Sequence, residues 1–396
     1  MDFLLLSLIK AALVAFALLT TLAYLQWIER KVIGHIQLRM GPYRVGPHGL
    51  LQPLADVVKL ITKEGVLPSH VNKFFYLLAP FLAVALALIS IAVLPFGPEI
   101  TVGPVKTWMQ LTDLRMGVLF VLAVSSVGVY AVALGGWASN NKYSLLGGLR
   151  SSAQMISYEL PLALALAAPL LLANSLSFRE IVDGQSGFWL GFIPKWNVIP
   201  QVIGFSVFLI AAFAETNRVP FDLPEAENEL VAGFHTEYSS MSFAAFFMAE
   251  YANMVTVTAV ATLLFLGGWH APFPEPYSSF IPILIFAGGG LVALYHGLHP
   301  ARRKDRFTLP AAAVVFLGIA AVFGLTFFVP MLQTILMALF WFCGKVLFLL
   351  FVFIWVRGTL PRFRYDQLMR FAWIVLFPLS VVNLMVTGLI VALTSK

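Results

Sequence analysis

The chain has 396 residues, of which 60% are hydrophobic and 11% are charged. A soluble domain is about 45–50% apolar and about 25% charged, so this composition excludes an ordinary soluble enzyme or binding domain. The formal net charge of +6 could suggest a nucleic-acid partner. The basic residues, however, lie in short segments between long apolar runs, which is typical of membrane orientation and argues for no nucleic-acid binding.

The apolar runs predict an all-α, polytopic membrane protein with about ten transmembrane helices, taken as a single transmembrane domain over 1–396. A helix that crosses the hydrocarbon core needs about 20 mostly apolar residues. The first run lacks the basic start of a signal peptide, so we expect it to be retained. The predicted spans are 3–25, 74–95, 116–136, 153–174, 198–214, 241–266, 279–298, 309–329, 333–356 and 371–394. The fifth span is short, so we expect its helix to extend into the loop that follows it.

The distribution of lysine and arginine predicts the orientation. With the N-terminus outside, the inner segments carry 18 of the 25 basic residues, as the positive-inside rule requires. Ten spans then place both termini outside. The inner segments are 26–73, 137–152, 215–240, 299–308 and 357–370.

The first inner loop, 26–73, contains a predicted amphipathic helix at 50–61. Its apolar residues recur at helical spacing and its charged residues lie elsewhere, which is typical of a helix in the membrane interface. Two interpretations remain open: a plain surface anchor, or a frame for an opening that admits a lipid-soluble substrate. The polar candidates for such an opening are Arg30, Arg39, Arg44 and Gln52.

The inner loop 215–240 is acidic, although inner loops usually carry positive charge. It holds six of the 19 acidic residues and one basic residue, Arg218. Clustered carboxylates repel one another, so some are expected to exchange protons near neutral pH. A solvated loop or a docking patch for a basic partner explains the composition equally well. The acids are Glu215, Asp222, Glu225, Glu227, Glu229 and Glu237.

Four further charges lie in predicted spans: Lys10, Glu159, Glu250 and Lys345, of which Lys10 and Glu159 are near enough to span ends to snorkel. A charge at the bilayer centre costs about 2.5–3.5 kcal/mol on insertion scales, so such residues usually serve a function, often a proton relay. The alternative is a structural ion pair, for example between Lys345 and a carboxylate. The lone Cys343 and the scattered histidines offer no metal-ligand spacing, and no nucleotide-binding motif is present.

The inner loops resemble those of the NuoH family of respiratory complex I, the NADH-quinone oxidoreductase. The resemblance rests on ERKVIGHIQLRMGPYRVGPHGLLQPLADVVKLITKE in the first loop, AETNRVPFDLPEAENELVAGFHTEYSSMSFAAFFMAEY in the acidic loop and WVRGTLPRFRYDQLMRFAW in the last one. It covers about 1–270 and 333–396. It implies a membrane-arm subunit that helps to form a quinone tunnel and couples quinone reduction to proton translocation in the bacterial cytoplasmic (inner) membrane.

The resemblance also implies site residues and partners. The quinone-tunnel candidates are Glu29, Arg30, Arg39, Gln52 and Asp56. The proton-coupling candidates are Glu159, Glu215, Asp222, Glu225, Glu227, Glu229, Glu237 and Glu250, with Lys345 added for its position inside a span. NADH, FMN and Fe–S clusters would belong to other complex I subunits, so the chain would be part of an enzyme without a complete active site of its own. Quinone would be a substrate in a shared tunnel.

The sequence departs from the family pattern at two single positions and in one segment. Tyr43 stands where the family usually has Asn, and Ile374 where it usually has Lys. The segment 279–329 predicts an inserted helical hairpin beyond the usual eight spans, at which lipids or an accessory subunit would pack.

Two other functions fit the sequence pattern: a related subunit of a membrane-bound hydrogenase-type complex, which needs no quinone, and a stand-alone cation antiporter. The first-loop motif favours the quinone-linked version, and the long inner loops favour a docked subunit over a stand-alone transporter.

Overall fold

The computed structural model describes residues 2–102, 105–222, 232–300 and 305–394. The helices are α1 Asp2–Ile36, α2 Gln52–Thr62, α3 Lys73–Ile91, α4 Gly117–Ala138, α5 Lys142–Ala173, α6 Phe178–Gly184, α7 Val202–Glu215, α8 Ser240–Phe265, α9 Tyr277–Leu298, α10 Asp305–Leu325, α11 Pro330–Thr359, α12 Tyr365–Arg370 and α13 Phe377–Thr394. Two short antiparallel hairpins pair β1 Glu99–Val102 with β2 Val105–Trp108, and β3 Phe188–Trp189 with β4 Ile193–Pro194.

Nine of the described helical segments are long and apolar enough to cross a membrane, and α7 is a shorter apolar helix. This confirms the predicted all-α, polytopic fold. Helices are expected because, in lipid, every backbone N–H and C=O must be paired inside its own segment.

Several predicted boundaries were wrong. Helix α1 continues to Ile36, beyond the predicted span 3–25. Helix α5 begins at Lys142 instead of 153, which places Glu159 near the middle of the helix. The polar start of α5 stays helical because it packs closely on α4: a Cβ added to Gly136 would lie 2.7 Å from the Ser144 carbonyl oxygen.

Helix α7 is too short to cross the hydrocarbon core alone. Its 14 residues span about 21 Å at 1.5 Å per residue, against a core of about 30 Å. The sequence predicted that this helix extends into the following loop. The helix instead ends at Glu215. The non-helical backbone after it is enclosed by protein, since Thr216, Arg218 and Asp222 are all buried. Irregular backbone at membrane depth is tolerated only under such cover.

The main core lies where α5, α7, α8 and α11 meet. Phe213 of α7 stacks on Phe353 of α11 with ring centroids 3.8 Å apart, and Tyr158 of α5 is fully buried. The Tyr158 hydroxyl donates to the carbonyl of Leu368 at 2.8 Å, which ties α12 to the bundle. Rigid aromatic packing of this kind fixes the positions of the charged side chains nearby.

The first hairpin is tied to the start of the bundle by Lys10 of α1. The Lys10 ammonium donates to the Trp108 carbonyl at 2.8 Å and to the Thr107 hydroxyl. Arg179 of α6 lies 4.3 Å from the Trp108 ring centre and 2.7 Å from Asp113. These contacts give Lys10 a structural role at the predicted outer end.

Helices α9 and α10 form a hairpin of their own, over the predicted insertion. The two helices approach closely at Gly297, which has no side chain. A Cβ added there would lie 2.5 Å from Cδ of Pro310. Phe286 of α9 stacks on Phe323 of α10 at 5.6 Å, and both rings contact Phe340 of α11. The hairpin is therefore fixed to the rest of the bundle through α11.

Candidate functional site

Three helices and the segment after α7 bring five side chains together inside the bundle. Arg218 lies 3.3 Å from the Glu29 carboxylate and 2.7 Å from that of Glu250. Arg357 also pairs with Glu29, and the Tyr251 hydroxyl donates to Glu29 at 2.9 Å. The Arg218 guanidinium stacks on the Tyr251 ring, 4.3 Å from its centre. We call these five residues the arginine-bridged cluster.

The arginine-bridged cluster balances two carboxylates against two guanidiniums. Glu29 and Arg218 are 4% and 5% exposed, so their charges depend on each other and not on water. Removing one member of such a pair leaves an uncompensated buried charge, which costs about 3–5 kcal/mol. The sequence singled out Glu29 and Glu250 but neither arginine, and it assigned the two acids to different roles.

Two other acids have hydroxyl partners instead. Ser126 of α4 donates to Glu159 of α5, and Ser125 hydrogen-bonds Glu215 at the end of α7. Within the described ranges, neither carboxylate lies in an ion pair. We call Glu159 and Glu215 the hydroxyl-bonded pair.

A cavity of about 70 Å³ connects the two groups, because Glu250 and Glu215 both line it. Its polar lining also includes Asn217, His235 and Asn253. A neighbouring cavity of about 40 Å³ shares Glu215 and Asn253. Both are larger than the roughly 10–15 Å³ that one water molecule needs. The arrangement can therefore hold water between carboxylates that do not touch directly.

His235 lies on this cavity and was not predicted from the sequence. Its side chain is buried among phenylalanine rings, with the Phe234 ring centre 4.7 Å away. Burial lowers the pKa of His235 to about 4, so the imidazole is neutral near pH 7. Its Nδ1 has no hydrogen-bond partner in the part of the chain that the structure describes. A water molecule in the cavity could supply that partner.

The remaining predicted acids occupy the edge of this region. Asp222 is buried and pairs with Arg362 at 3.0 Å. Glu237 accepts a hydrogen bond from Asn141 at 2.7 Å. Glu225, Glu227 and Glu229 lie outside the described residues.

The predicted tunnel residues divide into three places. Arg30 of α1 pairs with Asp56 of α2 at 2.9 Å, and Gln52 donates to the same Asp56 carboxylate at 3.1 Å. Glu29 points instead into the arginine-bridged cluster. Arg39 is exposed and its Nε donates to the side chain of Gln37 at 2.7 Å.

Lys345 lies apart from the predicted acids. Its ammonium donates to the carbonyls of Leu266, Gly268 and His270 at 2.6, 2.9 and 2.6 Å. It also lies 4.3 Å from the ring centre of Trp196. Among the described residues, no carboxylate lies within ion-pair distance. These carbonyls belong to the segment that directly follows α8, so Lys345 lies at the C-terminal end of that helix and the geometry favours a structural role.

The fold and these internal charges define a multi-pass membrane protein with charged side chains and cavities in its interior. The sequence matches the NADH dehydrogenase family over residues 9–388. It is 66% identical over 400 aligned residues to an H subunit of the NADH-quinone oxidoreductase of Solibacter usitatus, covering 100% of this chain and 99% of the relative. It is also 52% identical to an H subunit of the same enzyme from Koribacter versatilis, covering 99% of this chain and 98% of the relative.

The chain therefore belongs to the H-subunit family of NADH-quinone oxidoreductase, as its inner loops predicted. Because the Solibacter match covers both chains almost completely, that relative has a segment of similar length where α9 and α10 lie. With an H subunit of Geobacter metallireducens the identity is 46%, over 97% of this chain and 95% of the relative.

Proposed function

We propose that this chain forms part of the quinone-binding tunnel of complex I and couples quinone reduction to proton translocation. The observation that carries the proposal is the row of carboxylates inside the bundle, from the buried Glu29 through the half-buried Glu250 and Glu215 to the half-buried Glu159. A charge inside a membrane protein is costly and usually marks an ion or proton path.

The first loop and α2 support the tunnel side of the proposal. Helix α2 is amphipathic, and Asp56 on its polar side holds Arg30 and Gln52 together. Its apolar side is open to lipid or to a lipid-soluble substrate, which is what access for a quinone needs. The exposed apolar residues on or beside α2 are Leu51, Leu54, Val57, Val58 and Ile61.

The covalent neighbours Glu29 and Arg30 connect the two functions. Arg30 faces Asp56 of α2, whereas Glu29 pairs with Arg218 and Arg357 in the cluster. A change of charge at the tunnel therefore acts on a residue adjacent to the cluster.

The cavity then provides a route for protons or for a shift of charge. Glu250 is held by Arg218 on one side and lines the cavity that also reaches Glu215. Water in that cavity would link the two carboxylates by hydrogen bonds. The hydroxyl-bonded pair has no fixed counter-charge among the described residues, so a charge that arrives nearby is not already compensated at these two carboxylates.

The chain would act only within the assembled enzyme, in the bacterial cytoplasmic membrane. NADH, FMN and Fe–S clusters would be held by partner subunits, and the tunnel would be shared with the peripheral-arm subunits that complete the quinone site. Neighbouring membrane-arm subunits and lipids would contact the remaining surfaces. This chain alone would carry no complete active site.

The proposal is tested by Glu215→Gln in assembled, purified complex. We expect quinone-linked turnover and proton pumping to fall at least tenfold, because the amide cannot exchange a proton. The matched control is Glu180→Gln, since Glu180 also accepts from a serine, Ser175 at 2.5 Å, but is exposed and lies away from the cavity. Full activity of assembled Glu215→Gln complex would refute the coupling role.

A further inference from the structure

The hairpin of α9 and α10 reaches the first loop at a single described place. His48 Nε2 lies 2.8 Å from the Thr308 hydroxyl and 3.4 Å from the Asp305 carboxylate, both on the first turn of α10. Asp305 and Thr308 are three residues apart and therefore share one face of the helix. The side chains of His48 and Asp305 are 32% and 14% exposed, so the contact is partly shielded from water.

His48 lies in a turn with an unfavourable backbone conformation and two long backbone hydrogen bonds. Gly46, His48 and Gly49 all have positive φ, at 70°, 50° and 80°. Glycine adopts this conformation freely, but a histidine does so at a cost and persists there when its surroundings hold it. Two of the local backbone bonds are long, since Gly49 N–H donates to Gly46 at 3.5 Å and Leu51 N–H to Val45 at 3.3 Å, and one, from Leu50 N–H to Pro47 at 3.0 Å, has normal length.

The turn determines where α2 begins, because α2 starts at Gln52. The other end of α2 is tied to the core, since the Ser240 hydroxyl lies 2.9 Å from the carbonyls of both Leu60 and Lys63. The middle is tied to α1 through Asp56. Among described residues 45–51, the side-chain bonds to another helix are those of His48. The start of α2 therefore depends on the hairpin for its side-chain support.

The hairpin is rigid enough to give that support. Its two helices are in close contact along their length, and Phe286 and Phe323 pack on Phe340 of α11. On the other side of the turn, the His48 ring meets the ring of Tyr43 edge-on at 5.4 Å. His48 is thus held between the first loop and a helix that is fixed to the bundle.

We propose that the α9–α10 hairpin is a brace, which uses Asp305 and Thr308 to hold His48 and so fixes the start of α2 at the quinone entrance. His48, Asp305 and Thr308 are positioning residues: none needs to touch quinone. The effect on quinone rests on the proposed function, but the effect on the backbone of residues 46–58 does not.

The experiment measures hydrogen exchange and steady-state kinetics on the assembled complex with His48→Ala, Asp305→Ala and the double variant. His48→Ala removes both bonds to α10, whereas Asp305→Ala leaves the bond to Thr308. We expect exchange at 46–58 to rise at least fivefold in His48→Ala and by a smaller factor in Asp305→Ala. The double variant should match His48→Ala, because Asp305 acts on the loop through His48. The quinone KM should rise at least threefold, with kcat within twofold of the original. His296→Ala is the matched control, since His296 is an exposed histidine on the same hairpin that does not bond the loop.

Unchanged exchange at 46–58 in the double variant would overturn the brace. Raised exchange with an unchanged quinone KM would leave the brace standing and refute the role of this loop in quinone binding. If an alanine variant does not assemble, Thr308→Val carries the same test, because it removes only the hydroxyl and keeps the shape of the side chain.

Discussion

The arginine-bridged cluster and the hydroxyl-bonded pair hold acids inside the bundle in opposite ways, although Glu250 and Glu215 line the same cavity. In the cluster, Arg218 and Arg357 compensate the charges of Glu29 and Glu250. In the pair, Ser126 donates to Glu159 and Ser125 hydrogen-bonds Glu215, and no ion pair to either carboxylate is found among the described residues. The two guanidiniums compensate the carboxylate charges and also fix the positions of the side chains. A serine hydroxyl donates a hydrogen bond but does not compensate the charge of the carboxylate.

The difference separates two tasks that the sequence had grouped together. A carboxylate bound by arginines keeps its charge and makes a stable reference for its neighbours. A carboxylate bound by a hydroxyl can exchange a proton at smaller cost to the fold. The following variants test this division, from the largest expected effect to the smallest.

Glu29→Ala should have the largest effect on stability. It removes a carboxylate that pairs with Arg218 and Arg357, and so leaves buried guanidinium charge uncompensated. We expect a loss of about 3–5 kcal/mol and poor recovery of the subunit in the complex. Quantifying the subunit in purified membranes checks this, with Ser126→Ala, beside Glu159, as the contrasting variant. Normal recovery of Glu29→Ala would contradict the structural role of the cluster.

The free energy of unfolding should fall as the pH is lowered, because His235, which lines the cavity, is buried in its neutral form. Its pKa is about 4 in the fold against about 6.5 when unfolded, so the unfolded state binds the proton first. Stability is complete above about pH 6.5 and is lost, at about 1.4 kcal/mol per pH unit, as the pH falls toward 4. His235→Phe should melt with a weaker pH dependence between pH 6.5 and 5. An unchanged slope would show that other groups cause the acid sensitivity.

Lys345→Met tests whether a buried cation that has no carboxylate partner among the described residues contributes to stability, as the cluster does. The change leaves the carbonyls of Leu266, Gly268 and His270 without their donor. We expect a loss of about 1–3 kcal/mol and an unchanged number of protons pumped per quinone reduced. Melting temperature and pumping by reconstituted complex are the measurements. A pumping defect at normal stability would instead make Lys345 part of the relay.

Arg30→Ala should have the smallest effect on stability. Arg30 is exposed, and its pair with Asp56 contributes at most about 1 kcal/mol. If the pair shapes the tunnel entrance, the quinone KM rises several-fold while the melting temperature stays within about 1 °C. The same assay on Lys59→Ala, which lies 3.9 Å from Asp56 on the surface of α2, serves as the control.

Hydropathy predicted most of the fold, because lipid leaves the chain few alternatives to apolar helices. It could not predict where α5 begins, since the polar residues after Lys142 are kept helical by packing on Gly136 and not by their own composition. Nor did it predict the early end of α7, which depends on protein cover for the residues that follow.

The acids were visible in the sequence, but their partners were not. Arg218 and Arg357 lie far along the chain from Glu29, and nothing in a single sequence records that three such positions meet. His235 was passed over because it has no metal-ligand spacing. The sequence did contain a signal, since His235 lies in the acidic loop among aromatic residues. Only the structure shows that this histidine lines the cavity.

The arginine-bridged cluster also imposes an order on the making of the protein. Glu29 belongs to the first helix to enter the membrane, yet Arg218 follows 189 residues later and Arg357 near the end of the chain. At about 5–20 residues per second, Glu29 waits about 10–40 s on a ribosome before its first arginine exists. During that time α1 must lie close to water or to the insertion machinery. A chain that stops before α11 would lack Arg357, so its two carboxylates would face a single arginine. That excess negative charge would distinguish an unfinished subunit from a complete one.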